Sequence, residues 1–95
     1  MFIVLLRFSN NKSQAGELIN AHNEWIADGL AEGVFVLVGS LQPRLGGLLL
    51  AHNTTRSELE IRLRDDPFVA NDVVTIEVLE MAPSKADSRL AFLLS

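Results

Sequence analysis

Apolar residues fill Phe2 to Leu6 without a break, pause at Arg7 and return at Phe8, and Val34 to Val38 reads Val-Phe-Val-Leu-Val. Leu48 to Ala51 is a third such run, and Val73 to Met81 is rich in β-branched residues with partial alternation. These four segments predict strands. Pro43 and the pair Gly46-Gly47 lie between the second and third, which suits a hairpin-type connection. Between the first two strands the period changes. Ala15, Leu18, Ile19, His22, Ile26 and Leu30 fall on one side of a 3.6-residue repeat, with Glu17, Asn20, Glu24 and Asp28 on the other, so a helix is expected over about Gln14 to Ala31. Ser13 suits its N-cap, and Gly33 the left-handed position after its end.

The stretch Glu58 to Arg64 carries two patterns. Leu59, Ile61 and Leu63 alternate with charges as in a strand. Against this, Thr55 and Glu58 form a capping box, and Glu58–Arg62 and Glu60–Arg64 are i,i+4 pairs in the favourable order. The helix signals are the more numerous, and a second helix is expected. Pro67 ends it, and Asp66-Pro67 fits the cap and first position of a further short turn through Phe68 and Val69.

The resulting order is β-α-β-β-α-β, an α+β arrangement with a four-stranded antiparallel sheet and both helices on one face. A sheet with one face in water should alternate apolar and polar residues, and the first three strands largely do not. Both faces therefore call for burial, although the chain has no further element for the second. A hydrophobic fraction of 48% in 95 residues is high for one small core, because small domains have little interior. A second copy packed sheet against sheet is the simplest solution. The tail Arg89-Leu90-Ala91-Phe92-Leu93-Leu94 is also too apolar to hang free, and the segment 83–95 is expected to dock on that partner. The whole of 1–95 reads as one domain.

Charge and cysteine content narrow the function classes. A net charge of −4 disfavours nucleic acid, whose affinity comes largely from Lys and Arg neutralising phosphates. No cysteine is present, which removes disulfides, thiol chemistry and cysteine metal sites. Phe2 to Leu6 is too short for a signal core, and no run approaches a membrane span. The expectation is a cytoplasmic protein acting on, or binding, a small molecule or another protein, with no nucleic-acid or membrane partner.

Few residues offer chemistry. His22 stands in the apolar stripe of the first helix, where it is either a satisfied core histidine or a general acid or base in a pocket between helix and sheet. Asp66 is either an N-cap or the carboxylate that orients His22. Gly39 and Ser40 end the second strand, where a pocket mouth would open, and Ser40 lacks a nucleophile-elbow sequence. Trp25, at the edge of the stripe, is a core residue or a pocket wall, and Phe68 is a candidate pocket wall. Arg7 suits a substrate carboxylate or an interface salt bridge. His52 is expected in solvent. With two histidines and no ligand-spaced cluster, neither a metal nor another cofactor is expected.

Taken together, the residues resemble the YciI-like (YCII-related) family of the dimeric α+β barrel group. The similarity runs through Ala21-His22, Ala31-Glu32-Gly33, Gly39-Ser40-Leu41-Gln42-Pro43, Gly46-Gly47, Ser57-Glu58-Leu59 and Asp65-Asp66-Pro67-Phe68-Val69. Histidine followed much later by Asp-Pro-Phe is its most telling part. The resemblance implies a ferredoxin-like protomer that dimerises through its sheet, and a histidine–aspartate pair as the active site. The histidine is His22. The aspartate is Asp66 by its place in the Asp-Pro-Phe motif, with Asp65 as the alternative. Family members often carry proline where this chain has Ser40, which alters the pocket rim. The resemblance further implies lyase or isomerase chemistry of a dehydrochlorinase-like kind on a small apolar or aromatic molecule, without a cofactor. The competing expectation is a non-catalytic dimeric module that binds a small ligand or regulates a partner.

Overall fold

A computed structural model of the chain describes residues 1–94. Its strands are β1 (Phe2–Phe8), β2 (Phe35–Leu41), β3 (Gly46–Ala51) and β4 (Val74–Glu80), and its helices α1 (Ala15–Ala31), α2 (Arg56–Arg64) and α3 (Pro67–Ala70). Short 3-10 turns cover Lys12–Gln14 and Ser88–Leu94. The strands form one antiparallel sheet in the order β2-β3-β1-β4. This is the ferredoxin-like α+β fold the element order predicts. Among the described residues, no helix is long and apolar enough to cross a membrane.

Register decides which side chains meet the helices. Phe2 stands opposite Ala51, Val4 opposite Leu49 and Val78, and Phe8 opposite Val74. Alternation then sends Phe2, Val4, Leu6, Leu49, Ala51 and Val74 to one face, where they join Trp25, Leu59, Leu63 and Phe68 in the core. The reverse face carries Ile3, Leu5, Leu48 and Leu50, with Leu37 and Leu79 standing 58% and 45% exposed. None of these six belongs to the core cluster.

Strand β2 runs on to Leu41, beyond the apolar run that marks it in the sequence, because Gly39, Ser40 and Leu41 keep pairing with Leu48, Gly47 and Gly46. A bulge lies between Phe35 and Leu37, so Phe35 and Val38 both reach the helix side. Gly33 takes the left-handed conformation expected after α1, with φ 74°. At the other end of α1 the expected cap fails. Ser13 lies inside the 3-10 turn, and Gln14 holds the N-cap position without a side-chain bond.

The stripe of α1 is also shifted from the expected one. Its buried residues are His22, Trp25 and Gly29, while Ile19 and Leu30 are exposed. The close approach of Phe35 sets this face: a Cβ at Gly29 would overlap the Phe35 ring, so the glycine lets β2 pack tightly under the helix. Trp25 stands edge-on to the same ring at 5.1 Å.

Helix α2 is capped as expected. Thr55 Oγ1 accepts the Glu58 backbone N–H at 3.1 Å and donates to the Glu58 carboxylate at 2.9 Å. The expected ion pairs differ, however. Arg62 forms a two-bond fork with Glu32 at the end of α1, 2.9 and 3.2 Å, and Glu60 pairs with Arg56 at 3.1 Å. The cap occupies Glu58, which frees Arg62 to tie α2 to α1.

Candidate active site

Asp66 is fully buried. Its backbone is extended, as an N-cap requires, and Pro67 follows at the first helical position of α3. Oδ1 accepts the backbone N–H of Phe68 at 3.1 Å and lies 2.7 Å from His22 Nδ1. The cap and the histidine contact are thus two uses of one oxygen. Asp65 has a different task, closing α2 as its C-cap. The second carboxylate oxygen, Oδ2, makes no hydrogen bond with any described group.

A carboxylate can only accept, so Nδ1–H of His22 is the donor, and the lone pair of the neutral ring sits on Nε2. No hydrogen bond engages Nε2 among the described residues, and it is not among their fully buried unpartnered atoms. The ring is held on its faces as well. Phe68 lies flat against it, centroids 3.9 Å apart and planes within 6°. Trp25, three residues on along α1, stacks at 5.9 Å and 26°.

His22 opens on a cavity of about 340 Å³ between α1 and the end of the sheet. Leu6, Phe8, Ile26, Val38, Leu49 and Val74 supply apolar wall, which Gly46 and Gly47 complete. The polar side chains on the lining are few: His22, Asn23 and Ser40. A mostly apolar concavity with a few convergent polar groups is the usual form of a small-molecule site.

The residues singled out in the sequence divide into two groups. His22, Phe68 and Ser40 line the cavity, and Asp66 stands directly behind His22. Trp25 and Arg7 do not line it. The Trp25 indole donates to the carbonyl of Arg62 at 3.0 Å, fastening α1 to α2. Arg7 bonds Glu77 at 2.7 Å on the neighbouring strand. His52 is half-buried, with Phe92 of the tail edge-on to it at 5.7 Å, so it is less solvated than expected. The tail segment expected to reach a partner covers 83–95, of which Ser95 lies outside the described residues.

The hydrophobic pattern of the sequence puts Ile19 on the His22 stripe without marking it as cavity wall, and gives no sign of Asn23. Both sit within one helical turn of His22, and the spacing 19, 22, 23, 26 is the signal that finds them. Among the described residues no three His, Asp or Glu side chains converge as metal ligands would. No protein-family model matches the chain, and no curated protein is similar to it.

Proposed function

We propose that the chain is a YciI-like acid–base enzyme of lyase or isomerase type, acting on a small apolar or aromatic molecule. The observation that carries the reading is that His22, which lines a mostly apolar cavity, is pinned through Nδ1 to the buried Asp66 and has no hydrogen bond at Nε2 among the described residues. A fully buried structural histidine would satisfy both nitrogens within the fold or through ordered water. Here Nδ1 is satisfied, Nε2 has no hydrogen bond among the described residues, and the residue lines the cavity.

The step follows from that arrangement. A substrate C–H gives its proton to Nε2, and the C–H electron pair forms a new double bond. Either a leaving group such as chloride departs with its bonding pair, or an adjacent double bond of the substrate breaks and its π pair takes the proton back at its far carbon. Asp66 holds the ring tautomer and stabilises the imidazolium while the proton resides there. Phe68 keeps the ring in plane. General base catalysis of this kind contributes ~10²–10⁴-fold.

The reading also has two copies packing through the reverse face of the sheet. Ile3, Leu5, Leu37, Leu48, Leu50 and Leu79 make that face apolar, and no element of the core covers it.

A proton-abstraction assay tests the catalytic part before a substrate is identified. Candidate aromatic acids, phenols and chlorinated hydroquinones are incubated with the protein in D₂O. Mass spectrometry then reads deuterium uptake and loss of chloride. Wild-type protein should catalyse one of these, and His22→Gln should reduce the rate ~10²-fold or more while melting as the wild type does. Equal rates in the two proteins would exclude His22 as the base. A ligand recovered unchanged would favour the non-catalytic binding module.

A further inference from the structure

Beside the cavity lies a second concavity of about 540 Å³, lined by Phe8, Lys12, Ser40, Leu41, Gln42 and Arg44. Phe8 and Ser40 line both, so the two adjoin across these residues. The chain carries net charge −4, yet this concavity presents two cations and no carboxylate.

Those cations are unengaged. Arg7, Arg56, Arg62 and Arg89 are taken up in ion pairs. No ion pair or side-chain hydrogen bond involves Lys12 or Arg44 among the described residues. The backbone around both is nonetheless fixed. Lys12 begins the 3-10 turn, and its N–H bonds Ser9 at 3.2 Å. Ser9 Oγ donates to the carbonyl of Asp72, and the Asn11 side chain reaches Asn71 at 3.3 Å. Arg44 holds a left-handed backbone, φ 53°, which non-glycine residues seldom adopt. It is followed by Leu45, whose N–H bonds Leu41 and whose carbonyl accepts from Phe8, both at 3.0 Å.

Two such cations in a concavity that adjoins the apolar cavity define a polarity for the ligand. We infer that the substrate carries an oxyanion head, a carboxylate, held by Lys12 and Arg44, with its apolar body in the cavity toward His22. A guanidinium matches a carboxylate with two parallel bonds, and an ammonium adds a compact charge. Ser40 and Gln42 supply neutral donors beside them. In a protein of net negative charge, such a concavity also draws anions selectively to one place on the surface. The inference rests on the acid–base reading, which puts the reacting end of the substrate at His22.

The test uses 3-phenylpropionate and its neutral amide, 3-phenylpropionamide, as probes of equal shape and different charge. Affinities come from backbone NMR shift titrations at low ionic strength. Expected is about tenfold or more tighter binding of the acid, with shifts at both Lys12 and His22. The double variant Lys12→Gln/Arg44→Gln should bind acid and amide about equally and keep the wild-type melting point, since neither side chain has a partner to lose. Failure of the acid to bind, similar affinity for acid and amide in the wild type, or a preference that survives in the double variant would each overturn the inference. The two readings separate in His22→Gln. A charge preference retained there, with no proton transfer by the wild type, leaves the anion site standing and removes the catalytic role. Proton transfer without a charge preference does the reverse.

Discussion

Phe68 and His22 lie face to face, rings within 6° of parallel and 3.9 Å apart, and the backbone N–H of Phe68 shares an oxygen of Asp66 with the His22 ring. One short turn, Asp66-Pro67-Phe68, thus supplies the partner at the edge of the imidazole and the surface on its face. A ring held in both ways has little freedom to tip, which is what a base aimed at one C–H requires.

Replacing Phe68 by leucine keeps apolar volume but removes the flat contact. The loss should be about 1 kcal/mol of stability, the usual worth of an aromatic pair beyond its burial. Proton-transfer rate should fall about tenfold through looser aim. The His22 ring protons, shifted upfield by the Phe68 ring current in the wild type, should move downfield. Unmoved ring protons would mean the stacking does not persist in solution.

Asp66→Asn tests the other half of the arrangement. An amide oxygen can still cap the Phe68 N–H, so α3 should survive. The amide brings two donors into a fully buried position and carries no charge to favour the imidazolium. We expect ~10²-fold or greater loss of rate, with about 1–3 kcal/mol of stability lost to the unpaired donors. Asp65→Asn, at the C-cap of α2, should leave the rate unchanged. Equal effects of the two substitutions would remove the special role of Asp66.

The link between the helices has its own pH signature. The hydrogen bond from Arg62 and the positive charge of its guanidinium lower the Glu32 carboxyl below its ordinary 4.5, against a smaller opposing desolvation. Because the folded state binds its proton less readily than the unfolded one, Glu32 adds stability above the ordinary carboxylate range. That contribution disappears as pH falls through the lowered value. Glu32→Gln should therefore melt below the wild type at neutral pH and together with it in strong acid. A carbon-13 titration of Glu32 should give a midpoint under 4.5.

Much of this was legible in the sequence, and the exceptions have physical causes. Strands, helices and the caps at Thr55 and Asp66 announce themselves through short-range chemistry: periodicity, proline and oxygen-bearing side chains at fixed offsets. Ion pairing was not legible, because Arg62 had a helical neighbour of the right sign in Glu58 and chose Glu32 thirty residues away. Trp25 was placed at the edge of the α1 stripe because hydrophobicity cannot see that Gly29 admits Phe35 there. His22 and Asp66 were individually visible. Their 2.7 Å contact depends on how α1 crosses the 66–68 turn, which no local pattern encodes. Lys12 and Arg44 were invisible as a pair, since each is an ordinary surface cation until the β2–β3 turn and the loop before α1 line one concavity.

The reverse face of the sheet gives the last prediction. Leu37 pairs with Leu50, Leu50 with Ile3, and Ile3 with Leu79, so one apolar row crosses all four strands. Two positions along, the row reads Gly39, Leu48, Leu5 and Glu77, and beyond it Arg7 faces Gly46 and Thr75. The face is therefore graded, apolar at one end and ionic at the other. Two copies in sheet-to-sheet contact would bury the apolar row, and a charge placed there would be stranded without a partner. On this argument the wild type should sediment near twice its 10.4 kDa at micromolar concentration. Leu50→Lys should sediment as a single chain, while Thr75→Lys at the ionic end should remain paired. The Leu50 substitution points away from the core and from His22, so its monomer should keep the wild-type strand and helix content by circular dichroism. A wild type that sediments as one chain, or a Leu50→Lys protein that still pairs, would show that this face is not where copies meet.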